Sequence, residues 1–425
     1  MFDHDLHTRT ERIQSPFITL IRPLTRLVVP LLLLALGFAM PSTAMADDDD
    51  PGARNIVYVE SNDPAGNAIF AFARSDVGGL TPLAGSPYAA GGLGISPTFA
   101  LGPFDSDQNV IFNASHTLLF AVNGGSDSIA VFRVNDDGSL SLVDGAPFPS
   151  GGSNPVSVGL AGDILCVVNK DQDPDHPGAL LPNYTTLRVT PRGRLIPIPR
   201  STVFVDAGAS PSQALTVPES QLLFGADFMG GLLRSFKIQN NGRLDPREAQ
   251  VLPPAVFAGT GAPPFPLGLQ AHPKVPLLYV GFVTINRMGV YRYSHDGGLR
   301  FLRSVPNSGQ AICWILANAD GSRLYTTNTA DNSVSVYDSS SDPTTPVEIQ
   351  KVTLQGMGNS FQLALDSTGK FLHVVTQRAS AVLPPSANAL HVLSVGSDGR
   401  LTEVPSSPTV LPVANLVRPQ GVAAF

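Results

Sequence analysis

A glycine followed two residues later by a leucine recurs along the chain at intervals of about 50 to 60 residues. The copies are Gly78/Leu80, Gly138/Leu140, Gly193/Leu195, Gly242/Leu244, Gly297/Leu299 and Gly399/Leu401. One interval is about twice as long, and the segment DSSSDPTTP at 338–346 stands where the missing copy would fall. A fixed period of this length indicates a repeat architecture. Six intervals of about 54 residues predict seven repeats.

Each repeat contains four short segments with the pattern of β-strands. The glycine lies in a polar loop such as NDDGSL or GSDGRL, where a positive φ closes a hairpin. Three apolar segments come before this loop in each repeat. In chain order they are a segment such as NPVSVGLAG, one such as LLFAVN and an alternating one such as SIAVFRV. No stretch after residue 46 shows a sustained helical period. Each repeat is therefore predicted to be four antiparallel strands.

Four-stranded units that repeat radially form a β-propeller. The sequence therefore predicts an all-β fold, a seven-bladed propeller over residues 55–425. The first segment, NIVYVES, matches the second strand of a repeat, and the last, PQGVAAF, matches a first strand. The C-terminal strand is thus predicted to complete the N-terminal blade and close the ring. A solenoid would need a cap at each end, and none is evident.

The N-terminal region has the pattern of a secretory signal. An apolar run of 14 residues at 27–40 follows two arginines and precedes the small-residue sequence AMA at 44–46. This predicts a cleaved signal peptide over residues 1–46, an acidic linker at 47–54 and a periplasmic or secreted protein. The run is shorter than the ~20 residues that cross a bilayer, so a retained membrane anchor is the weaker alternative.

Composition narrows the function classes. The formal net charge is −7 and 14% of residues are charged, which argues against nucleic acid as a partner because phosphates require a basic excess. Two cysteines cannot build a disulfide framework. Cys166 and Cys313 lie in apolar stretches, which favours buried thiols over a disulfide between them.

Three stretches resemble the lactonase family of seven-bladed propellers, which includes 6-phosphogluconolactonase and carboxymuconate-cyclizing enzymes. They are LYTTN with NSVSVYD at 324–338, QAHPKVPLLYVGF at 270–282 and DGSLSLVDGAPF at 137–148. The resemblance covers nearly all of the chain after the signal, and it implies the propeller fold and lactone hydrolysis. Members commonly place a histidine after the proline turn that opens an inner strand, whereas the corresponding turns here contain none.

Polar side chains are predicted to surround one mouth of the central channel, where the loops entering the inner strands meet those joining the second and third strands. The predicted rim consists of Asn123, Asn154, Gln213, Gln310, Asn328, Asp331, Asn359 and Gln420. Amides in such a position suit sugar hydroxyls or a carboxylate. The alternative is that they cap strand ends and hold channel water.

Hydrolysis of a lactone needs a base that activates water and donors that hold the developing oxyanion. Asp227 is the candidate base, and Arg287 or Arg378 the candidate anion anchor. The chain contains neither GxSxG nor GxxxxGK[ST], which argues against esterases of the nucleophile-elbow type and P-loop enzymes.

One acidic loop suggests a cation site. Asp171, Asp173 and Asp175 alternate in NKDQDPDHPG, and oxygen ligands at every second position can wrap Ca²⁺. The glycine and glutamate of an EF-hand loop are missing, so a solvated acidic loop is the alternative. No other cofactor is expected.

Two functions remain open at this level. The first is an exported lactonase-like propeller that hydrolyses a small sugar-acid lactone or binds a small polar ligand at the mouth. The second is a non-catalytic binding or scaffold propeller for protein or cell-envelope partners. A monomer without a membrane span after cleavage is the default expectation.

Overall fold

The computed structural model describes residues 55–95, 105–173, 178, 180–414 and 417–425. The predicted signal peptide and acidic linker lie outside these residues. Within them the chain forms seven antiparallel sheets arranged in a ring, so the predicted seven-bladed β-propeller is confirmed. The blades are numbered here in chain order, and the strands of each run from the channel outward.

The first three blades use the following strands. Blade 1 contains β1 (Ile56–Glu60), β2 (Ala68–Arg74), β3 (Leu80–Pro82) and β4 (Tyr88–Ala89). Blade 2 contains β5 (Val110–Phe112), β6 (Leu118–Asn123), β7 (Ser128–Val134), β8 (Leu140–Leu142) and β9 (Phe148–Pro149). Blade 3 contains β10 (Pro155–Ala161), β11 (Ile164–Asn169), β12 (Asn183–Val189), β13 (Leu195–Pro197) and β14 (Val203–Phe204).

The remaining blades follow the same order. Blade 4 contains β15 (Leu215–Val217), β16 (Leu222–Asp227), β17 (Leu232–Ile238), β18 (Leu244–Pro246) and β19 (Gln250–Val251). Blade 5 contains β20 (Pro266–Ala271), β21 (Leu277–Phe282), β22 (Arg287–Tyr293) and β23 (Leu299–Pro306). Blade 6 contains β24 (Ile312–Ala317), β25 (Arg323–Asn328), β26 (Ser333–Asp338) and β27 (Val347–Thr353). Blade 7 contains β28 (Asn359–Leu365), β29 (Phe371–Gln377), β30 (Ala389–Val395), β31 (Leu401–Glu403) and β32 (Thr409–Val410), and β33 (Gln420–Ala424) ends the chain.

Helical structure among the described residues is confined to single turns. The α-helix α1 spans Pro254–Phe257, and 3₁₀ turns lie at Pro218–Ser220, Val283–Ile285 and Pro385–Ala387. No helix in the described ranges is long and apolar enough to cross a membrane.

The fourth strand is more irregular than the sequence predicts. In five blades it is split into two short pieces that both pair with the third strand, as β8 and β9 do with β7. A turn separates the two pieces in blade 2, closed by the bond from Ala146 N to Val143 O. Gly145 there has φ +86°, and Pro147 lacks the N–H that a continuous ladder would need. In blades 5 and 6 the outer strand is continuous.

The C-terminal strand completes the first blade, as predicted. β33 runs antiparallel to β1, with Val57 opposite Ala424 and Tyr58 opposite Ala423. Phe425 N adds a bond of 3.0 Å to Ile56 O. Because β33 is the inner strand of a blade that otherwise comes from the N-terminal end of the propeller, its pairing joins the two ends of the ring.

The core lies between the blades. The second strands are almost wholly buried, because neighbouring blades cover both of their faces. In the third strand of blade 2, by contrast, Arg133 is exposed near the outer edge. The two cysteines are free and buried, and burial raises the pKa of each thiol to about 12. This confirms the buried-thiol interpretation for both residues.

The strand order gives the ring two faces. The loops that join first to second strands and third to fourth strands lie on one face, here called the turn face. The six predicted Gly-Leu hairpins lie there, and the segment 338–346 forms the seventh hairpin between β26 and β27. The loops that enter inner strands and those that join second to third strands lie on the opposite face, here called the mouth face.

Candidate functional site

The last residue of the second strand is a buried polar side chain in six of the seven blades. The set is Glu60, Asn123, Asn169, Asp227, Asn328 and Gln377, with Phe282 in blade 5. These positions border the mouth face, where the sequence placed three of its candidates. The side chains point into the protein, so their hydrogen bonds decide what they can do.

Asn123 and Asn328 hold strand ends together. Asn123 accepts a bond of 3.0 Å from Asn67 of blade 1 and donates to Ser128 Oγ at 3.2 Å. Asn328 donates to Ser333 Oγ and Ser335 Oγ, each at 2.9 Å. Both amides therefore fix the hairpin between second and third strands, and Asn123 also links two blades.

Asp227 is an ion-paired, fully buried carboxylate. Its Oδ2 accepts a bond of 2.7 Å from Arg234, and its Oδ1 accepts the N–H groups of Ser210 at 2.8 Å and Gly230 at 3.0 Å. A carboxylate with this many donors closes a loop, and both of its oxygens are occupied by groups of the protein.

The two arginines predicted as anion anchors contact other groups. Arg287 donates to the hydroxyl and carbonyl of Ser304 at 2.7 and 2.8 Å. Arg378 donates to the carbonyls of Leu383 at 2.5 Å and Ala381 at 2.8 Å. The cation paired with Asp227 is thus Arg234, a residue that the sequence analysis did not select.

Four further rim residues lie in local contacts or in solvent. Asn154 is buried and accepts Gln172 N at 3.3 Å. Asn359 donates to Thr329 O at 2.9 Å, and Asp331 pairs with Lys351 at 3.1 Å. The side chain of Gln310 is exposed on the mouth face.

A short stretch of chain, Asp105–Asn109, occupies the central channel and is called here the channel segment. It precedes β5 of blade 2, yet it bonds to inner elements of four other blades. In blades 3 and 4, Val158 N donates to Gln108 O at 3.0 Å and Asp107 N donates to Ser212 O at 3.2 Å. In blade 7, Gln362 Nε2 donates to Ser106 O at 2.8 Å.

Two of the predicted rim residues contact this segment. Gln213 of blade 4 donates to Gln108 Oε1 at 3.1 Å and also exchanges two bonds with the backbone of Leu269 in blade 5. Gln420 of blade 1 accepts a bond of 3.2 Å from Asn109. The structure therefore brings Gln213 and Gln420 to one place, on opposite sides of a segment that the sequence analysis did not select.

Two buried cations flank the channel segment. Lys170 Nζ donates to Asp105 O at 2.7 Å, and Arg418 Nη2 donates to Gln377 Oε1 at 2.8 Å. Burial lowers the pKa of Lys170 to about 8 and that of Arg418 to about 10, and the negative charge of Asp105 opposes both shifts. Asp105 thus lies within electrostatic reach of both cations.

Asp107 combines partial exposure to water with an enclosed position. Part of the Asp107 residue is exposed to solvent, whereas its carboxyl group is surrounded by protein. Desolvation raises the pKa of Asp107 to about 7, and a bond with the Gln108 backbone opposes the shift. Asp107 can therefore exchange a proton near neutral pH.

The arrangement supplies the parts of a hydrolytic or anion-binding site. Asp107 can accept a proton from water, and Lys170 and Arg418 are positive groups in a poorly solvated place where their charge acts strongly. Gln362 Oε1 is buried without a hydrogen-bond partner among the described residues, so it can accept a bond from a hydroxyl group in the channel.

These residues had a recognisable signal in the sequence. Twenty residues separate β4 from β5, whereas five separate β9 from β10 and five separate β23 from β24. Loops of this length are uncommon in compact domains and are often functional. Lys170 and Arg418 lie in the loops where the sequence analysis sought its rim, directly after Asn169 and directly before Pro419.

A cavity of about 540 Å³ opens on the mouth face beside Lys170 and is lined by Asp171, Gln172, Leu180 and Leu181 among others. A cleft of about 590 Å³ lies on the turn face between blades 6 and 7. Of these two, the cavity on the mouth face is the one lined by a residue of the channel site, Lys170. It is therefore the better candidate for a ligand site.

The calcium hypothesis stays a prediction. Asp171 Oδ1 accepts Leu180 N at 3.1 Å, Asp173 is buried, and Asp175 lies outside the described residues. Within the part of the chain that the structure describes, no three His, Cys, Asp or Glu side chains form a group able to hold a metal ion.

Comparison with known proteins supports the fold alone. No protein-family model matches the sequence, and no curated protein matches it. Among solved structures, the chain is similar to a protein named as a putative 6-phosphogluconolactonase from Bacteroides fragilis, at TM-score 0.66 and 17% identity over 89% of this chain and 100% of the other. It is also similar to a periplasmic gluconolactonase from Pseudomonas aeruginosa, at TM-score 0.63 and 15% identity over 87% and 98% of the two chains. A hypothetical selenium-binding protein from Sulfolobus tokodaii matches at TM-score 0.58 and 11% identity over 87% and 93%. The same fold thus occurs in proteins with different names. The function of this chain must therefore be inferred from its site.

Proposed function

We propose that this protein is an exported, lactonase-like hydrolase that opens a small sugar-acid lactone at the mouth of its channel. The observation that supports this most is the channel segment, which carries the Asp107 carboxyl group of pKa about 7. Two residues before it, the backbone oxygen of Asp105 accepts a bond from the buried Lys170, and the charge of Asp105 acts on the buried Arg418. The similarity to a periplasmic gluconolactonase is consistent with it. The signal-like N-terminus supports export, to the periplasm or beyond the cell.

In the proposed reaction, Asp107 acts as the general base. It takes a proton from a water molecule that attacks the lactone carbonyl. When the tetrahedral intermediate collapses, the ring C–O bond breaks and the proton passes from Asp107 to the leaving ring oxygen, which gives the hydroxy acid and restores the base. Lys170 and Arg418 stabilise the oxyanion that develops on the carbonyl oxygen. Gln213 and Gln420, both bonded to the channel segment, hold that segment and thereby the base in position.

The test compares two candidate bases, the one from the structure and the one from the sequence. Asp107→Asn should lower kcat/KM on a lactone panel by about 100-fold or more, because a positioned base contributes on that order. The pH profile should also lose its rise near pH 7. Asp227→Asn should leave that rise in place, since Asp227 serves Arg234. The opposite pattern would transfer the role of base to Asp227.

Stability provides a control on folding. The pKa of Asp107 is raised in the folded protein. Above pH 7 its carboxylate is therefore charged in an environment that disfavours the charge, whereas in the unfolded chain the same charge is solvated by water. This difference lowers the free energy of unfolding. Asp107→Asn should therefore raise Tm at pH 8 while it lowers kcat/KM. A variant that loses both stability and activity would contradict the assignment.

The structural use of the rim amides favours a second candidate, a non-catalytic propeller that binds a polar ligand or a cell-envelope partner. Asn123, Asn328 and Asp227 are occupied in holding hairpins. Wild-type protein that turns over no lactone in the panel, yet gains Tm with a sugar acid, would establish this candidate instead.

A further inference from the structure

Charge is distributed unevenly around the ring. Residues 181–305, from β12 through blades 4 and 5, contain 13 Lys and Arg against 6 Asp and Glu. Residues 55–180, which form blades 1 and 2 and the first strands of blade 3, contain 3 against 13. The protein as a whole is acidic, so a basic sector of this size is a distinct surface.

The basic sector reaches solvent on the turn face. Its exposed members there include Arg192 and Arg194 on blade 3, Arg243 on blade 4, and Lys274 and Arg300 on blade 5. Bonds between blades make the sector continuous. Arg243 Nε donates to Arg200 O of blade 3 at 3.1 Å, and Arg247 Nε donates to Asp296 O of blade 5 at 2.7 Å.

The other half of the same face is acidic. Asp76 stands on the hairpin of blade 1, Asp136 and Asp137 on that of blade 2, and Asp320 and Asp342 on the loops of blade 6. All five are exposed. Blades 6 to 2 and blades 3 to 5 occupy opposite sides of the ring. The turn face therefore has a predominantly acidic half, which also exposes Lys370 and Arg400 on blade 7, and a predominantly basic half, which also exposes Glu219 and Asp296.

Each half also exposes an apolar side chain. Val77 on the blade 1 hairpin is 77% exposed, and Ile196 on the outer strand of blade 3 is 50% exposed. An interface with a small apolar centre and a charged rim needs such residues on both of its sides.

We propose that the turn face binds a second copy of this chain, in place of the monomer expected from the sequence. A two-fold axis lying in the face, between the halves, sets each basic half against the acidic half of the other copy. The same contacts then form twice, as an isologous interface requires. A polyanion would complement the basic half only and would be repelled by the acidic half, whereas a second copy complements both.

The mouth face stays open in this dimer. Its loops lie on the opposite side of each ring, so both channel sites remain accessible to solutes. The proposal is therefore independent of the proposed hydrolysis.

The experiment uses the chain from residue 47 to residue 425 and two sets of charge reversals. One set is Arg192→Glu, Lys274→Glu and Arg300→Glu, and the other is Asp76→Lys with Asp136→Lys. Sedimentation velocity should show a wild-type dimer at 20 mM NaCl that weakens at least tenfold at 500 mM, because exposed pairs are screened by salt. Each reversed set alone should be a monomer, and an equimolar mixture of the two should form a heterodimer.

Asp206→Lys, an exposed reversal on the mouth face, is the matched control and should dimerise like wild type. A wild-type monomer at 20 mM NaCl and 100 µM protein would overturn the proposal. So would a dimer that survives both sets. Binding of dextran sulfate that the basic-set reversal removes, without any self-association, would show a polyanion site instead.

Discussion

His373 lies in the middle of β29, and its side chain is fully enclosed by blade 7 and its neighbours. Neither ring nitrogen makes a hydrogen bond with a described residue. Burial and, to a smaller extent, the nearby Arg74 lower the pKa of His373 to about 3. The folded protein therefore holds this imidazole neutral across the acid range, whereas the unfolded chain protonates it below pH 6.5.

This histidine should make the protein acid-sensitive. Between pH 6.5 and about 3 the unfolded state binds one proton more than the folded state at this site, so the free energy of unfolding falls as pH falls. The slope due to one proton is about 1.4 kcal/mol per pH unit. His373→Leu should reduce the measured slope between pH 6 and pH 4 by about that amount, as read from urea unfolding. An unaltered slope in His373→Leu would refute the account.

At the scale of elements, the Gly-Leu hairpins join neighbouring blades. In three of these hairpins the glycine carbonyl accepts a hydrogen bond from a hydroxyl group of the preceding blade. Tyr58 Oη donates to Gly138 O at 2.7 Å, Thr186 Oγ1 to Gly242 O at 2.6 Å, and Tyr325 Oη to Gly399 O at 3.2 Å. The repeat that reveals the fold in the sequence is thus a contact between blades as well as a turn.

Glycine is required in these hairpins for two separable reasons. Gly138 has φ +80°, and a Cβ atom there would fall 1.8 Å from Ile56 Cδ1 of blade 1. Gly369 lies outside the Gly-Leu set, in the loop between β28 and β29; it has φ +67°, but a Cβ atom there would have no neighbour within 4 Å. Gly369→Ala should therefore cost about 1 kcal/mol for backbone strain alone. Gly138→Ala should cost about 1 to 3 kcal/mol more, for overpacking against blade 1.

Urea unfolding of the two variants measures the difference directly. Equal losses in Gly138→Ala and Gly369→Ala would mean that only the turn conformation selects glycine. In that case the contact with the neighbouring blade would not contribute to the requirement for glycine in the repeat.

The elements that follow from local pattern were predictable, and those that depend on other blades were not. Alternation and turn glycines indicated the four strands and the hairpins, because these depend on neighbouring residues. The split of the fourth strand was missed, since its turn is polar and short. The role of Asp227 could not be predicted from the local sequence either, because Arg234 and Ser210 contact it only in the folded blade.

The channel site shows the same limit more clearly. Lys170, Asp107 and Arg418 come from blade 3, the entry to blade 2 and the entry to β33, and nothing in their local sequence relates them. Gln213 and Gln420 were selected by position in the repeat, and both lie at the channel segment. Loop position thus identified part of the site, whereas the charged groups needed the assembled ring.

For the whole molecule, stability depends on closing the ring between its first and last residues. β33 lies beside β28 of blade 7 and β5 of blade 2 as well as pairing with β1. The junction also contains the buried ion pair of Arg74 with Asp366 at 2.8 Å, which joins blade 1 to blade 7. Phe425 packs on Phe112 of blade 2 with ring centroids 4.8 Å apart. The last strand therefore contacts three blades.

A chain that ends at Pro419 should fail to close. Without Gln420–Phe425, blade 1 loses its inner strand, Asn109 loses its acceptor on Gln420, and the apolar faces of blades 1 and 2 are exposed to water. We expect the cooperative melting transition to be lost and the hydrodynamic radius to rise. A synthetic peptide of residues 417–425 added in trans should restore both, because it supplies the missing strand, whereas a scrambled peptide of the same composition should not. A truncated chain that melts like wild type would show that the ring is stable with an incomplete blade 1. The channel segment would then be held in position by blades 3, 4 and 7 alone.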